Sequence, residues 1–210
     1  MKNNEVFDLD NIKAIANSPL KGKKVAFLGS SITYGEDGIS FVECLAKRNS
    51  FYYLKEAVSG TTLVDFGPDS YIKRLKKINP NEKFDIFVCQ LSTNDIAQNM
   101  PFGDLDDKNV NTVLGAINYI YQYVKKKWNC PFIMYTSAYY DSENYQKLVN
   151  LVKKMKYIKL IDMYSDVDFN NLTIEQRKLF MLDGVHPSKL GYLKWWTPYI
   201  EKELYALIQK

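Results

Sequence analysis

Five short apolar runs, at 25–28, 52–58, 86–91, 132–136 and 158–161, alternate along this chain with longer segments of helical spacing. Each run is rich in β-branched or aromatic residues. Near-continuous apolar strands of this length suit a sheet covered on both faces, and parallel strands need long crossovers, usually helices. The alternation therefore predicts βαβ units around a parallel sheet, in one doubly wound α/β/α sandwich of three layers.

Helices are expected at 40–48, 69–78, 107–127, 143–156, 173–180 and 188–208. The third is the clearest, because Val110, Val113, Leu114, Ile117, Ile120, Tyr121 and Val124 recur at steps of three and four and mark one apolar face. Pro198 should end or kink the last segment, since proline lacks the N–H a helix interior needs. With 210 residues, and no internal repeat or long linker, the chain reads as a single domain over 1–210, its core at about 22–208 behind an N-terminal extension at 1–21.

A formal net charge of +4, spread along the chain, makes no case for a nucleic-acid partner. The basic runs at 21–24, 73–77 and 125–127 adjoin expected helix ends or strand entries and read as solvated surface. Cys44, Cys89 and Cys130 are odd in number and lack CxxC spacing, and the first two lie among apolar neighbours. Reduced thiols and a cytoplasmic location are the expectation. Residues 1–10 are polar, without the basic and apolar regions of a signal peptide, and no apolar run approaches the roughly 18 residues of a membrane span.

Ligands of open parallel sheets bind beyond the carboxyl ends of the strands. Four segments there or near the C-terminus carry chemistry. The first strand runs into Gly29-Ser30-Ser31, where glycine permits a sharp bend and a serine can offer its hydroxyl and its N–H. Asp183-Gly184-Val185-His186-Pro187 contains the only histidine of the chain, with a carboxylate three residues before it. A serine nucleophile needs an imidazole to take its proton and a carboxylate to orient that imidazole. Ser59-Gly60-Thr61 and Ser92-Thr93-Asn94-Asp95 follow the second and third strands and could supply oxyanion donors. Taken separately, each of these segments is also ordinary turn or cap chemistry.

Together, in this order, the four blocks resemble those of the SGNH/GDSL hydrolase superfamily over residues 25 to about 196: Gly29-Ser30-Ser31-Ile32-Thr33, Gly60, Ser92-Thr93-Asn94-Asp95 and Asp183-Gly184-Val185-His186-Pro187. The resemblance implies Ser31 as nucleophile, His186 as general base and then acid, and Asp183 as its orienting carboxylate. It implies an oxyanion hole from the N–H groups of Ser31 and Gly60 and the Asn94 amide, in a flavodoxin-like, mainly parallel five-stranded sheet. Two positions depart from the commonest blocks: Ser30 stands where Asp precedes the nucleophile, and Ser92 where the asparagine block often begins with Gly.

The expected activity is hydrolysis of small-molecule esters with small acyl groups, such as acetyl on a carbohydrate, without metal or cofactor. A thioesterase or lysophospholipase, a non-catalytic binding module and a flavin-binding protein of similar strand pattern are the rivals, the last without a GxGxxG or P-loop to recommend it. Asp104, Asp106 and Asp107 read as helix N-terminal charge rather than a cation site. Tyr135, Tyr139, Tyr140, Trp195 and Trp196 are candidates either for a substrate pocket or for the core. Oligomeric state is not legible.

Overall fold

The computed structural model describes residues 7–208, so residues 1–6 of the expected N-terminal extension lie outside the described residues. Strands β1 (Lys24–Gly29), β2 (Tyr52–Ala57), β3 (Ile86–Gln90), β4 (Phe132–Tyr135) and β5 (Lys159–Ile161) coincide with the five expected runs to within a residue at each end. They form one sheet in the order β2-β1-β3-β4-β5, with every neighbouring pair parallel. This is the flavodoxin-like order, in which β1 and β3 flank the point where the chain reverses its direction of travel across the sheet.

Alternation along the strands builds two cores. Ala26 and Leu28 of β1, with Phe87 and Cys89 of β3, pack on one side, whereas Val25, Phe27, Ile86 and Val88 pack on the other. The short helix α1 (Ser31–Tyr34) follows β1, and α2 (Phe41–Asn49) covers the second side. On the first side lie α3 (Tyr71–Lys77), α5 (Val113–Lys127) and α6 (Glu143–Lys154), with the short α4 (Asn94–Ala97) preceding α5. The chain closes with α7 (Val167–Asn170), α8 (Ile174–Phe180), α9 (Lys189–Gly191), a wider π-type segment (Tyr192–Trp196) and α10 (Thr197–Ile208).

Pro198 does not break the last segment. It sits in the first turn of α10, where its missing N–H is tolerated, and the preceding turn widens so that the Thr197 N–H reaches back to the Tyr192 carbonyl. The long helix is shorter than its periodicity suggests: Thr112 caps α5 by accepting the Gly115 N–H, and residues 107–112 are not helical. Asp104, Asp106 and Asp107 therefore lie in the loop before the helix, correcting the helix-end reading. Asp107 accepts from the Asn109 N–H at 2.8 Å and the Thr112 hydroxyl at 2.7 Å, and these bonds hold its carboxyl below the usual range. Among the described residues no helix is long and apolar enough to cross a membrane.

Candidate active site

β1 delivers the chain into a turn that only glycine fits at position 29, because a Cβ there would lie 1.6 Å from Thr33 Oγ1. Gln90, at the end of the neighbouring β3, pins this turn from below: its Oε1 accepts the Ser30 N–H at 2.9 Å and the Thr33 hydroxyl at 2.8 Å. Ser30 is fully buried, its hydroxyl beside the Tyr71 phenol without a well-formed hydrogen bond. Ser31 opens α1 and is half-buried.

Far along the sequence, residues 180–188 double back on themselves. Met181 bridges Pro187, the Leu182 N–H donates to the His186 carbonyl at 2.8 Å, and the Ser188 N–H donates to the Phe180 carbonyl at 2.8 Å. At the tip, Asp183 Oδ1 accepts the N–H groups of Val185 and His186, both at 2.7 Å. Its Oδ2 lies 2.8 Å from His186 Nδ1, and His186 Nε2 lies 2.8 Å from Ser31 Oγ. The three side chains thus form one hydrogen-bonded line. Burial acts to raise the Asp183 carboxyl, but the two N–H donors and the imidazole outweigh it and hold the group below the usual carboxylate range. An ionised Asp183 fixes a proton on Nδ1 and leaves Nε2 free to accept the Ser31 proton.

Gly60 and Asn94 lie on the loops after β2 and β3. Gly60 has a φ of 78°, a left-handed conformation that glycine adopts without steric cost. Asn94 Nδ2 donates one hydrogen to the Thr61 carbonyl at 2.9 Å, which leaves its second hydrogen to point elsewhere. The two loops are also tied by Asp95, which is buried and accepts the Leu63 and Val64 N–H groups at 2.8 and 3.0 Å. Burial pushes the Asp95 carboxyl up to about 6 despite those donors. Ser92, in the position where the family block often has Gly, accepts the Asn94 N–H at 3.1 Å.

Several residues that the sequence reading missed hold this arrangement. Gln90 is one, and its signal was a lone polar residue ending an apolar strand. Tyr192 donates to the Ile32 carbonyl at 2.9 Å, and Glu36 accepts the Lys189 N–H at 2.6 Å, so both join the serine segment to the histidine segment. Tyr135, Trp195 and Trp196 are core residues, whereas Tyr139 is about half exposed. All three cysteines are buried as free thiols, and burial pushes Cys44 up to about 12 and Cys130 up to about 11, which keeps both protonated and unreactive at neutral pH.

No protein-family model matches the chain, and no curated protein does. Solved structures do. One described as a possible lipase from Chitinophaga pinensis superposes with a TM-score of 0.68 at 16% identity, covering 90% of this chain and 100% of that one. A GDSL-like lipase described from Bacteroides ovatus gives 0.61 at 16% identity, with 90% and 99% covered. A carbohydrate esterase family 2 enzyme with a carbohydrate-binding domain, from Corynascus thermopiles, gives 0.60 at 15% identity, with 93% of this chain and 69% of that one covered. With its five parallel strands, its strand order and these neighbours, the chain has the α/β fold of the SGNH/GDSL hydrolases.

Proposed function

We propose that this protein is a serine esterase that hydrolyses carboxylic esters through an acyl-enzyme formed on Ser31. The observation that carries the reading is the unbroken line Asp183 Oδ2, His186 Nδ1, His186 Nε2, Ser31 Oγ, with 2.8 Å at both hydrogen bonds. Ser31 Oγ attacks the ester carbonyl as His186 Nε2 takes its proton, and the Asp183 carboxylate holds the imidazolium. The negative charge on the former carbonyl oxygen is met by the N–H groups of Ser31 and Gly60 and the free hydrogen of the Asn94 amide. Collapse expels the alcohol, protonated by His186. Water then attacks the acyl-enzyme, giving up its proton to His186; collapse breaks the bond to Ser31 Oγ, which takes that proton back from His186, and the carboxylic acid is released.

The acyl group in this reading is small and the alcohol bulky, as in an acetylated carbohydrate. The site is open, since the Asp183 and His186 side chains are 57% and 37% exposed, and a carbohydrate esterase is among the fold's neighbours. A second reading, a longer acyl chain, draws on Ile174 and Leu179 of α8 and on Leu182, exposed apolar residues on the segment that leads into Asp183. Three buried free thiols fit a reducing compartment such as the cytoplasm. Comparing kcat/KM for p-nitrophenyl acetate, butyrate and octanoate, then acetate release from acetylated oligosaccharides, separates the readings. Preference for acetyl supports the first; a rise towards octanoate supports the second; no turnover of any ester with unlabelled Ser31 would refute both.

A further inference from the structure

Arg74, on α3, takes no part in the Asp183, His186 and Ser31 line, yet it is a charged side chain only 3% exposed. No carboxylate forms a salt bridge with it among the described residues. A buried cation with no carboxylate in direct contact is costly: the charges of Glu56 and Asp69 favour it from farther off, and its N–H groups must be satisfied by oriented dipoles. Its guanidinium donates to oxygens at the carboxyl ends of β1 and β2, in the loop after β2 and just before its own helix. Nη2 donates to the Gly29 carbonyl at 2.8 Å and to Thr61 Oγ1 at 3.1 Å, Nη1 to the Glu56 carbonyl, and Nε to the Asp69 carbonyl at 3.0 Å. Tyr71 supports the group, its ring centroid 5.1 Å from Cζ.

Two of these acceptors belong to the reacting loops. Gly29 stands two residues before Ser31. Thr61 follows Gly60, and its hydroxyl, while accepting from Arg74, donates to the Val58 carbonyl at 2.6 Å and so closes the turn that presents Gly60. The Thr61 carbonyl in turn accepts the Asn94 amide at 2.9 Å. One rigid fork therefore links the serine turn, the glycine turn and, through Thr61, the asparagine. Lysine could supply the charge but not this set of simultaneous bonds.

We propose that Arg74 is a positioning residue that sets the three oxyanion donors against one another, acting through Gly29 and Thr61 without touching substrate. The inference rests on Ser31 being the nucleophile. Its test uses full-length wild type, Arg74→Met, Arg74→Lys and Thr61→Val, each checked by thermal melting and with active sites counted by a fluorophosphonate that labels Ser31. With p-nitrophenyl acetate, kcat per labelled site should fall about 100-fold in Arg74→Met and about tenfold in Arg74→Lys and Thr61→Val, with KM little changed, because misplaced donors cost the transition state more than the bound ester. The affinity for a boronic acid that forms a tetrahedral serine adduct should fall in parallel with kcat/KM. A residue needed only for folding would lower the number of labelled sites and leave turnover per site alone. If Arg74→Met fails to fold, Arg74→Lys and Thr61→Val decide. Turnover per labelled site within about twofold of wild type in both overturns the inference while leaving the esterase reading intact. A wild type that neither turns over esters nor labels at Ser31 overturns both.

Discussion

The Glu36 carboxylate accepts the Lys189 backbone N–H at 2.6 Å, joining the turn after the Ser31 helix directly to the turn after His186. Lys189 also pairs with Asp37 at 2.7 Å, so two adjacent acids grip one residue across a wide gap in sequence. The Ser31 to His186 distance is thus set by flanking contacts as well as by its own hydrogen bond. Glu36→Ala should lower kcat about tenfold through a loosened serine and histidine geometry, whereas Glu36→Gln, which keeps an acceptor oxygen, should stay close to wild type. The loss in stability should be no more than about 1 kcal/mol, read from urea denaturation alongside the kinetics.

Asn94 commits one amide hydrogen to Thr61, and the proposed reaction uses the other for the oxyanion. Asn94→Ala should cut kcat by about 100-fold or more, the size of effect expected for losing one oxyanion donor, with KM changing far less. Steady-state kinetics normalised to labelled Ser31 checks this. A change of only about twofold would assign the amide to holding Thr61 alone.

Asp95 gives the fold a specific pH response. Burial raises its carboxyl to about 6 from an ordinary value of 3.8, so the folded chain binds a proton there that the unfolded chain has released. Stability from this group is therefore greatest below the ordinary carboxylate range and is lost as pH rises through about 6, by about 3 kcal/mol in all. Asp95→Asn should be less stable than wild type throughout, because its amide nitrogen cannot accept the second of the Leu63 and Val64 N–H groups. The penalty should be smallest near pH 7 and grow towards pH 4, since only the wild type gains stability on acidification. Urea melts of both proteins at intervals across that range give the difference directly.

The strands were legible because a sheet buried on both faces leaves a continuous apolar trace, as in Ile86-Phe87-Val88-Cys89. Helix starts were harder. The apolar spacing that includes Val110 extends past Thr112, yet Thr112 offers the cap and the chain turns there instead. The Ser31, Asp183 and His186 cluster was implied by the resemblance of the four blocks, taken together, to those of the SGNH/GDSL hydrolases, whereas each block alone is also ordinary turn or cap chemistry. Arg74, Glu36 and Tyr192 could not be picked out, and Gln90 showed only as a lone polar residue ending an apolar strand, with nothing to say what it binds. Each acts on a main-chain group distant in sequence, as Arg74 does on Gly29, and a side chain that recognises backbone leaves no complementary residue type to read.

In the proposed reaction Ser31, and not its neighbour Ser30, carries the acyl group. Ser30 is buried with a hydroxyl that makes no well-formed hydrogen bond, so Ser30→Ala should fold and turn over p-nitrophenyl acetate much like wild type. Ser31→Ala should melt at a similar temperature but lose most of its turnover, on the order of 1,000-fold or more. Hydrolysis by folded Ser31→Ala at the wild-type rate would contradict the account.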